Sequence, residues 1–336
     1  MTKPRILATK SLDRAIESLF LERFDFHIAK DASIESIAEA AQRLDPHGMV
    51  VRDDLPDTIA EIAPSLVHIA RHGSGVDVIP VKACSDAGIC ISRVPGGNAV
   101  SVAEWCLSQI LSLLHRLPDI VEASRNEGWS IARKRFTGAA VDLAEKKVLI
   151  LGFGAIAQHL SHMLCIGLRA KVTIACRRPE AFKAEHASLE FISMSEAPAA
   201  LPQTEVLVPC IALSASTEGL VSQSWFDALP ARAIVVNASR GEVLDEQAMC
   251  KALVAGRLAG AAIDVVASRS LASDSPLWQT PRLVITPHLA GHTADAHQRN
   301  GMSCLEALTE SLLLNQCPKH AINPEVWPQA LERMRN

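Results

Sequence analysis

Residues 148–157 read VLILGFGAIA, and no other stretch limits the possible folds so sharply. An unbroken apolar run closed by glycine is the pattern of a strand buried on both faces. Behind it, Gly152, Gly154 and Ala157 form a GxGxxA turn that opens a helix. Gly152 permits the tight turn, and Gly154 lets backbone approach a pyrophosphate that the helix N-terminus attracts. Taken alone, GxGxxA also occurs in ordinary packing turns. Here a strand precedes it, a helix follows, and a second strand, KVTIAC (171–176), completes a β-α-β unit.

The same rhythm runs through the chain. VLVPCIAL, AIVVNAS, AAIDVV and LVITPHL continue the middle region as apolar strands, most of them separated by helical stretches. Upstream, PRILAT, GMVVR, LVHIAR and ICISRV read as strands, with SIESIAEAAQRL between them as a helix. Ser101 is placed to cap a helix running SVAEWCLSQILSLLHRL, with Glu104 completing a capping box. The apolar positions of that helix cover most of its circumference, which predicts burial between two packed units. Met302, Leu305, Leu308 and Leu312 recur at helical spacing near the C-terminus. The fold class is therefore α/β: two Rossmann-like domains with doubly wound parallel sheets, the cofactor domain inserted into the substrate domain. The expected boundaries are 1–101 for the first part of the substrate domain, 102–292 for the cofactor domain, and 293–336 for the return.

Composition excludes several functions. A net charge of −4 over 336 residues offers no basic surface for nucleic acid or anionic lipid. No apolar run is long enough to cross a membrane. The opening MTKPRILATK lacks the apolar core of a signal peptide, so a cytoplasmic location is expected. Nine cysteines without CxxC spacing read as thiols in a reducing compartment, with neither a disulfide frame nor a metal site expected.

At the end of the second strand of the nucleotide unit, an NAD-binding protein usually carries an acid for the ribose hydroxyls. This chain has Cys176, then Arg177 and Arg178. Two guanidiniums and no carboxylate favour the 2′-phosphate of NADP, so NADPH is the preferred cofactor and NAD a possible one. The plainer reading of each arginine is a solvated loop residue.

From RHGSGVDVIP (71–80) through GGNAVSVAEW, LGFGAIA, NASRGEVLD and GRLAGAAIDV to TPHLAGHT (286–293), the chain resembles the D-isomer-specific 2-hydroxyacid dehydrogenase family. The basic end of the second strand is similar to its NADPH-using glyoxylate and hydroxypyruvate reductase members. The resemblance implies that Arg240, in NASRG, holds the substrate carboxylate and polarises its carbonyl. It makes His288, in PHLAG, the proton donor or acceptor. Ser74 and Gly75 would offer backbone amides to the carboxylate. Gly152, Gly154, Ala155, Ile156 and Asp264 would join Arg177 and Arg178 around the cofactor. His292 is expected to be structural. A homodimer is implied as well, with the helix beginning at Ser101 as a candidate contact. The chemistry suits these residue types: a planar carboxylate matches a guanidinium fork, and reduction of a 2-keto acid takes one hydride and one proton.

One position departs. The family places a glutamate five residues after the aspartate matched by Asp264, paired with the histidine; here that position is Arg269. Three functions therefore stay open. One is an NADP-dependent 2-keto acid reductase whose histidine works without a carboxylate. Another is a dehydrogenase for a different acid, with Arg269 on a second anionic group. The third is a nucleotide-binding regulatory protein with little turnover.

Overall fold

The computed structural model describes residues 3–186, 188–268 and 270–334. The chain forms two compact units, one built from Met1–Asn98 and His292–Asn336, the other from Ala99–Gly291.

In the first unit, five parallel strands form one sheet: β1 (Arg5–Ala8), β2 (Asp25–Ile28), β3 (Gly48–Val51), β4 (His68–Arg71) and β5 (Cys90–Ser92), in the order β2-β1-β3-β4-β5. Alternation along β1 divides its side chains between two layers. Ile6 and Ala8 join Phe20, Leu305 and Leu308 on one face, whereas Leu7 joins Ile37, Ala41 and Ile59 on the other. Helices Arg14–Arg23 and Ala294–Leu312 cover the first face, and helix Ile34–Leu44 the second. Ser33 caps the last of these, its hydroxyl accepting from the Ser36 amide at 3.2 Å.

The second unit carries β6 (Lys147–Leu151), β7 (Lys171–Cys176), β8 (Glu190–Ser193), β9 (Val206–Pro209), β10 (Ile234–Asn237), β11 (Gly260–Ile263) and β12 (Leu283–Ile285). All are parallel, in the order β12-β11-β10-β9-β6-β7-β8. That is the doubly wound dinucleotide-binding order, its reversal falling between β6 and β9. Val148 and Ile150 face a core shared with helices Ala99–Leu114 and Ala155–His162, while Leu149 and Leu151 face one that includes Phe226 and Met249.

The structure corrects three sequence readings. Helix Ala99–Leu114 starts before Ser101, which sits inside it and is 5% exposed, so Ser101 is not its cap. The two other differences are edge strands, β2 and β8, that the sequence reading lacked; each buries a single residue, Phe26 and Phe191 respectively. All nine cysteines are free thiols. No helix among the described residues is long and apolar enough to cross a membrane.

Candidate dinucleotide and substrate site

The glycine-rich turn lies at the carboxyl end of β6, beside the point where strand order reverses, which is where open α/β sheets bind ligands. Gly152 adopts φ +92°, and a Cβ there would meet the Cys210 carbonyl oxygen at 2.6 Å, so only glycine fits. Its amide donates to the Ala175 carbonyl at 2.7 Å and pins the turn to β7. Gly154 is different. A Cβ added at Gly154 has no atom within 4 Å, so nothing in the protein requires glycine there. The open space lies at the head of helix Ala155–His162, with Ala155 exposed and Ile156 half-buried on its first turn. A pyrophosphate approaching these amides fits that space, and the turn suits a dinucleotide.

β7 stays buried up to Cys176 and then delivers Arg177 and Arg178 to solvent. Among the described residues neither guanidinium makes an ion pair.

Arg240 follows β10. The buried Asn237 shapes its loop: Oδ1 accepts from the Ser239 amide at 2.9 Å and the Ser239 hydroxyl at 2.7 Å, and Nδ2 donates to the Arg240 carbonyl at 2.9 Å. The Arg240 guanidinium donates to the Ser239 carbonyl at 2.8 Å and is half-buried. A Cβ on Gly241 would overlap the backbone of Val266, its carbonyl carbon 1.9 Å away. Glycine therefore lets the Arg240 loop press against the chain that leaves β11.

That chain begins with Asp264, 2% exposed. Its carboxylate accepts from the Thr286 hydroxyl at 2.5 Å and from the amides of Leu289 at 2.9 Å and Ala290 at 2.8 Å. Its own carbonyl accepts from the His288 amide at 2.8 Å. His288 is exposed and sits at φ +56°, a left-handed conformation that costs a non-glycine residue on the order of 1–3 kcal/mol. The bonds to Asp264 hold the loop in that shape. Asp264 thus positions the histidine, a role its place in the sequence did not reveal.

In the second unit, then, the structure brings Arg240, Asp264 and His288 onto neighbouring loops of one sheet edge. Ser74 and Gly75 belong to the first unit, in the turn after β4. The Ser74 hydroxyl donates to the Val94 carbonyl at 2.9 Å, and the Gly75 carbonyl accepts from the Arg71 guanidinium at 2.8 Å. No acceptor among the described residues takes the backbone amides of Ser74 and Gly75. Arg269 lies outside the described residues.

The first unit holds a second polar group that the sequence reading did not find. Arg52, immediately after β3, contacts the His297 ring at 3.5 Å, and the His72 and His297 rings stack with centroids 5.6 Å apart. His292 lies beside His297, centroids 5.3 Å apart. Burial, reinforced by Arg52 and His297, depresses His72 to a pKa of about 3; burial, Arg52 and Lys10 depress His297. Residues so far apart in sequence meet because parallel strands end on one edge, and no local motif announces them.

A turn that fits a dinucleotide, beside an arginine and a strained histidine on one sheet edge, defines a dinucleotide-dependent oxidoreductase fold. The family model for the NAD binding domain of D-isomer specific 2-hydroxyacid dehydrogenases matches residues 107–290, and the chain belongs to that family. It is 28% identical over 277 residues to the D-3-phosphoglycerate dehydrogenase of Archaeoglobus fulgidus, covering 82% of this chain but 51% of that protein. It thus spans about half the length of that relative. It is 25% identical over 331 residues to the glyoxylate reductase of Korarchaeum cryptofilum, covering 96% of this chain and 97% of the other. The D-mandelate dehydrogenase of Rhodotorula graminis shares the fold, with a TM-score of 0.85 at 19% identity over 96% of this chain and 98% of that one.

Proposed function

We propose that the protein is an NADP-dependent reductase of a small 2-keto acid, of the glyoxylate or hydroxypyruvate kind, running reversibly with the D-2-hydroxy acid. The observation that carries this reading is that Arg240 and His288 follow β10 and β12, flanking the Asp264 loop, at the same carboxyl edge of the sheet as a turn that fits a dinucleotide. NADPH, when bound, supplies the hydride. The amides at the head of helix Ala155–His162 hold its pyrophosphate, and Arg177 and Arg178 take its 2′-phosphate; NAD, lacking that phosphate, binds more weakly.

Arg240 orients the substrate by its carboxylate and stabilises the negative charge that grows on the carbonyl oxygen. His288 gives its proton to that oxygen in reduction and recovers it in oxidation. Asp264 keeps the imidazole aimed. Arg269 stands in the sequence at the place where the family carries the glutamate that pairs with this histidine. In the first unit, the amides of Ser74 and Gly75 suit a carboxylate. A protein that only sensed nucleotide would need neither Arg240 nor His288, which counts against a purely regulatory role.

A second reading has its own observation. The Arg52 guanidinium, with the His297 and His72 rings around it, is a cation in the first unit that suits a second acidic group on the substrate, and a 3-phosphoglycerate-like acid has one. A homodimer is proposed as well. Leu117, Val121, Trp129 and Ile131 are exposed on helices Leu117–Asn126 and Trp129–Phe136, an apolar face suited to a second copy in preference to the helix at Ser101.

The deciding experiment is NADPH oxidation against a panel of 2-keto acids, including glyoxylate, hydroxypyruvate and phosphohydroxypyruvate. Turnover of the first two supports the first reading, and selective turnover of the phosphorylated acid the second. No turnover with any keto acid would overturn both.

A further inference from the structure

Three phenylalanines and a histidine cluster where the glycine-rich turn meets the segment that follows β7. Phe153 stands between Gly152 and Gly154, yet it is buried and belongs to the core of the second unit. Around its ring lie Phe191 of β8 at 4.9 Å between centroids, Phe182 at 5.0 Å and His186 at 5.0 Å, all three edge-on at 88°, 66° and 81°. Phe182 also stacks on Phe191, centroids 6.0 Å apart. Edge-to-face contact is a favoured aromatic geometry, and here one ring makes it three times.

Phe182 and His186 belong to the arm that carries Arg177 and Arg178. That arm runs from Cys176, the end of β7, to Glu190, the start of β8, and contains the four-residue helix Glu180–Lys183. The carbonyls of Arg178 and Pro179 accept from the amides of Ala181 at 3.2 Å and Phe182 at 3.1 Å, so Phe182 is about one turn from the arginines. A helix this short does not support itself. None of its residues is fully buried, and its ion pair between Lys183 and Glu180 is exposed and contributes little. The half-buried Phe182 ring is what ties this helix to the core.

We propose that Phe153 and Phe182 are positioning residues for cofactor choice: their ring contact holds the arm so that Arg177 and Arg178 stand at a fixed distance from the pyrophosphate turn. The inference rests on the reading that these arginines take the 2′-phosphate of NADPH. NADPH carries its pyrophosphate and its 2′-phosphate on one ribose, so it gains from two sites whose spacing is set in advance. Phe153 sets that spacing because it is itself part of the turn. NADH carries the pyrophosphate alone and does not draw on the arm. Loosening the ring contact therefore weakens NADPH and spares NADH.

The test measures NADPH and NADH dissociation constants by isothermal titration calorimetry on the full-length protein, without substrate. Phe182→Leu keeps an apolar side chain but removes the ring. It should raise the NADPH constant roughly five- to tenfold, the scale of one aromatic pair, and leave the NADH constant within about twofold. Phe182→Tyr keeps the ring and should stay close to the wild type. His186→Ala, which carries the test if Phe182→Leu does not fold, trims the same cluster and should move the ratio in the same direction. In an Arg177→Ala, Arg178→Ala background, Phe182→Leu should change the ratio no further, because the groups it positions are gone. Equal loss of both cofactors, or an unmoved ratio, would assign Phe182 to packing alone and overturn the proposal. A further fall of the ratio in the arginine-free background would do the same. A wild-type protein that binds NADPH and NADH alike would instead overturn the assignment of the arginines, and this inference with it.

Discussion

His68 and His72 should make the first unit sensitive to mild acid. His68 is fully buried, its ring nitrogens 2.7 Å from the Ser311 hydroxyl and 2.8 Å from the Ser92 hydroxyl, and burial lowers its pKa to about 3. His72 is lowered to about 3 as well, by burial first and then by Arg52 and His297. Both are neutral in the folded chain, whereas an unfolded histidine titrates near 6.5. Between those values the unfolded state binds more protons, so the stabilisation is present above pH 6.5 and is lost as pH falls through the window towards 3. Each histidine then costs about 1.4 kcal/mol per pH unit once pH is well below 6.5, or about 2 kcal/mol between pH 7 and pH 5. Together they remove about 4 kcal/mol, a large part of ordinary domain stability. His47 and His297 are also lowered, chiefly by burial, and add in the same direction. Urea unfolding followed by far-UV circular dichroism from pH 7.5 to pH 5 should show this slope, and His68→Met should remove about one proton from it. A urea midpoint that stays flat over that range, or native imidazole NMR signals for both residues titrating near 6.5, would refute the reasoning.

Other expectations concern the site. NADPH should be preferred to NADH by tenfold or more in kcat/KM, since a charge-assisted bond to the 2′-phosphate is worth about 1.5–3 kcal/mol; the Arg177→Ala, Arg178→Ala double variant should lose that preference. Arg240→Lys keeps the charge but loses the planar fork, so KM should rise and kcat fall together, and wild-type kinetics would place the carboxylate elsewhere. Asp264→Asn replaces an acceptor-only group with one that bears donors facing the Leu289 and Ala290 amides, and should lower kcat by tenfold or more with NADPH binding retained. If Arg269 lies beside His288, Arg269→Glu should extend reduction to higher pH; an unchanged pH profile with a raised KM would instead place Arg269 on the substrate.

What the sequence disclosed follows the physics of each feature. Central strands such as VLIL and IVVN were legible because burial on both faces leaves continuous apolar runs. β2 and β8 were not, because an edge strand with one buried residue has the composition of a loop. The helix start at Ala99 was missed because Ser101 satisfies the pattern of a cap while being packed inside the helix. Gly152, Arg240 and His288 stand in local motifs and could be read directly. Arg52, His72 and His297 could not, since only the parallel sheet brings the ends of β3 and β4 towards the first turn of a helix that starts at Ala294.

The role of Asp264 shows most clearly what local patterns omit. Its spacing from His288 says nothing of the left-handed backbone at that histidine or of the amides that maintain it. Those bonds run from Thr286, His288, Leu289 and Ala290 to Asp264, and none involves position 269. The backbone at His288 is thus held by bonds that do not draw on position 269. Loss of the Asp264 carboxylate would accordingly disturb the loop that presents the imidazole whatever residue stands at position 269.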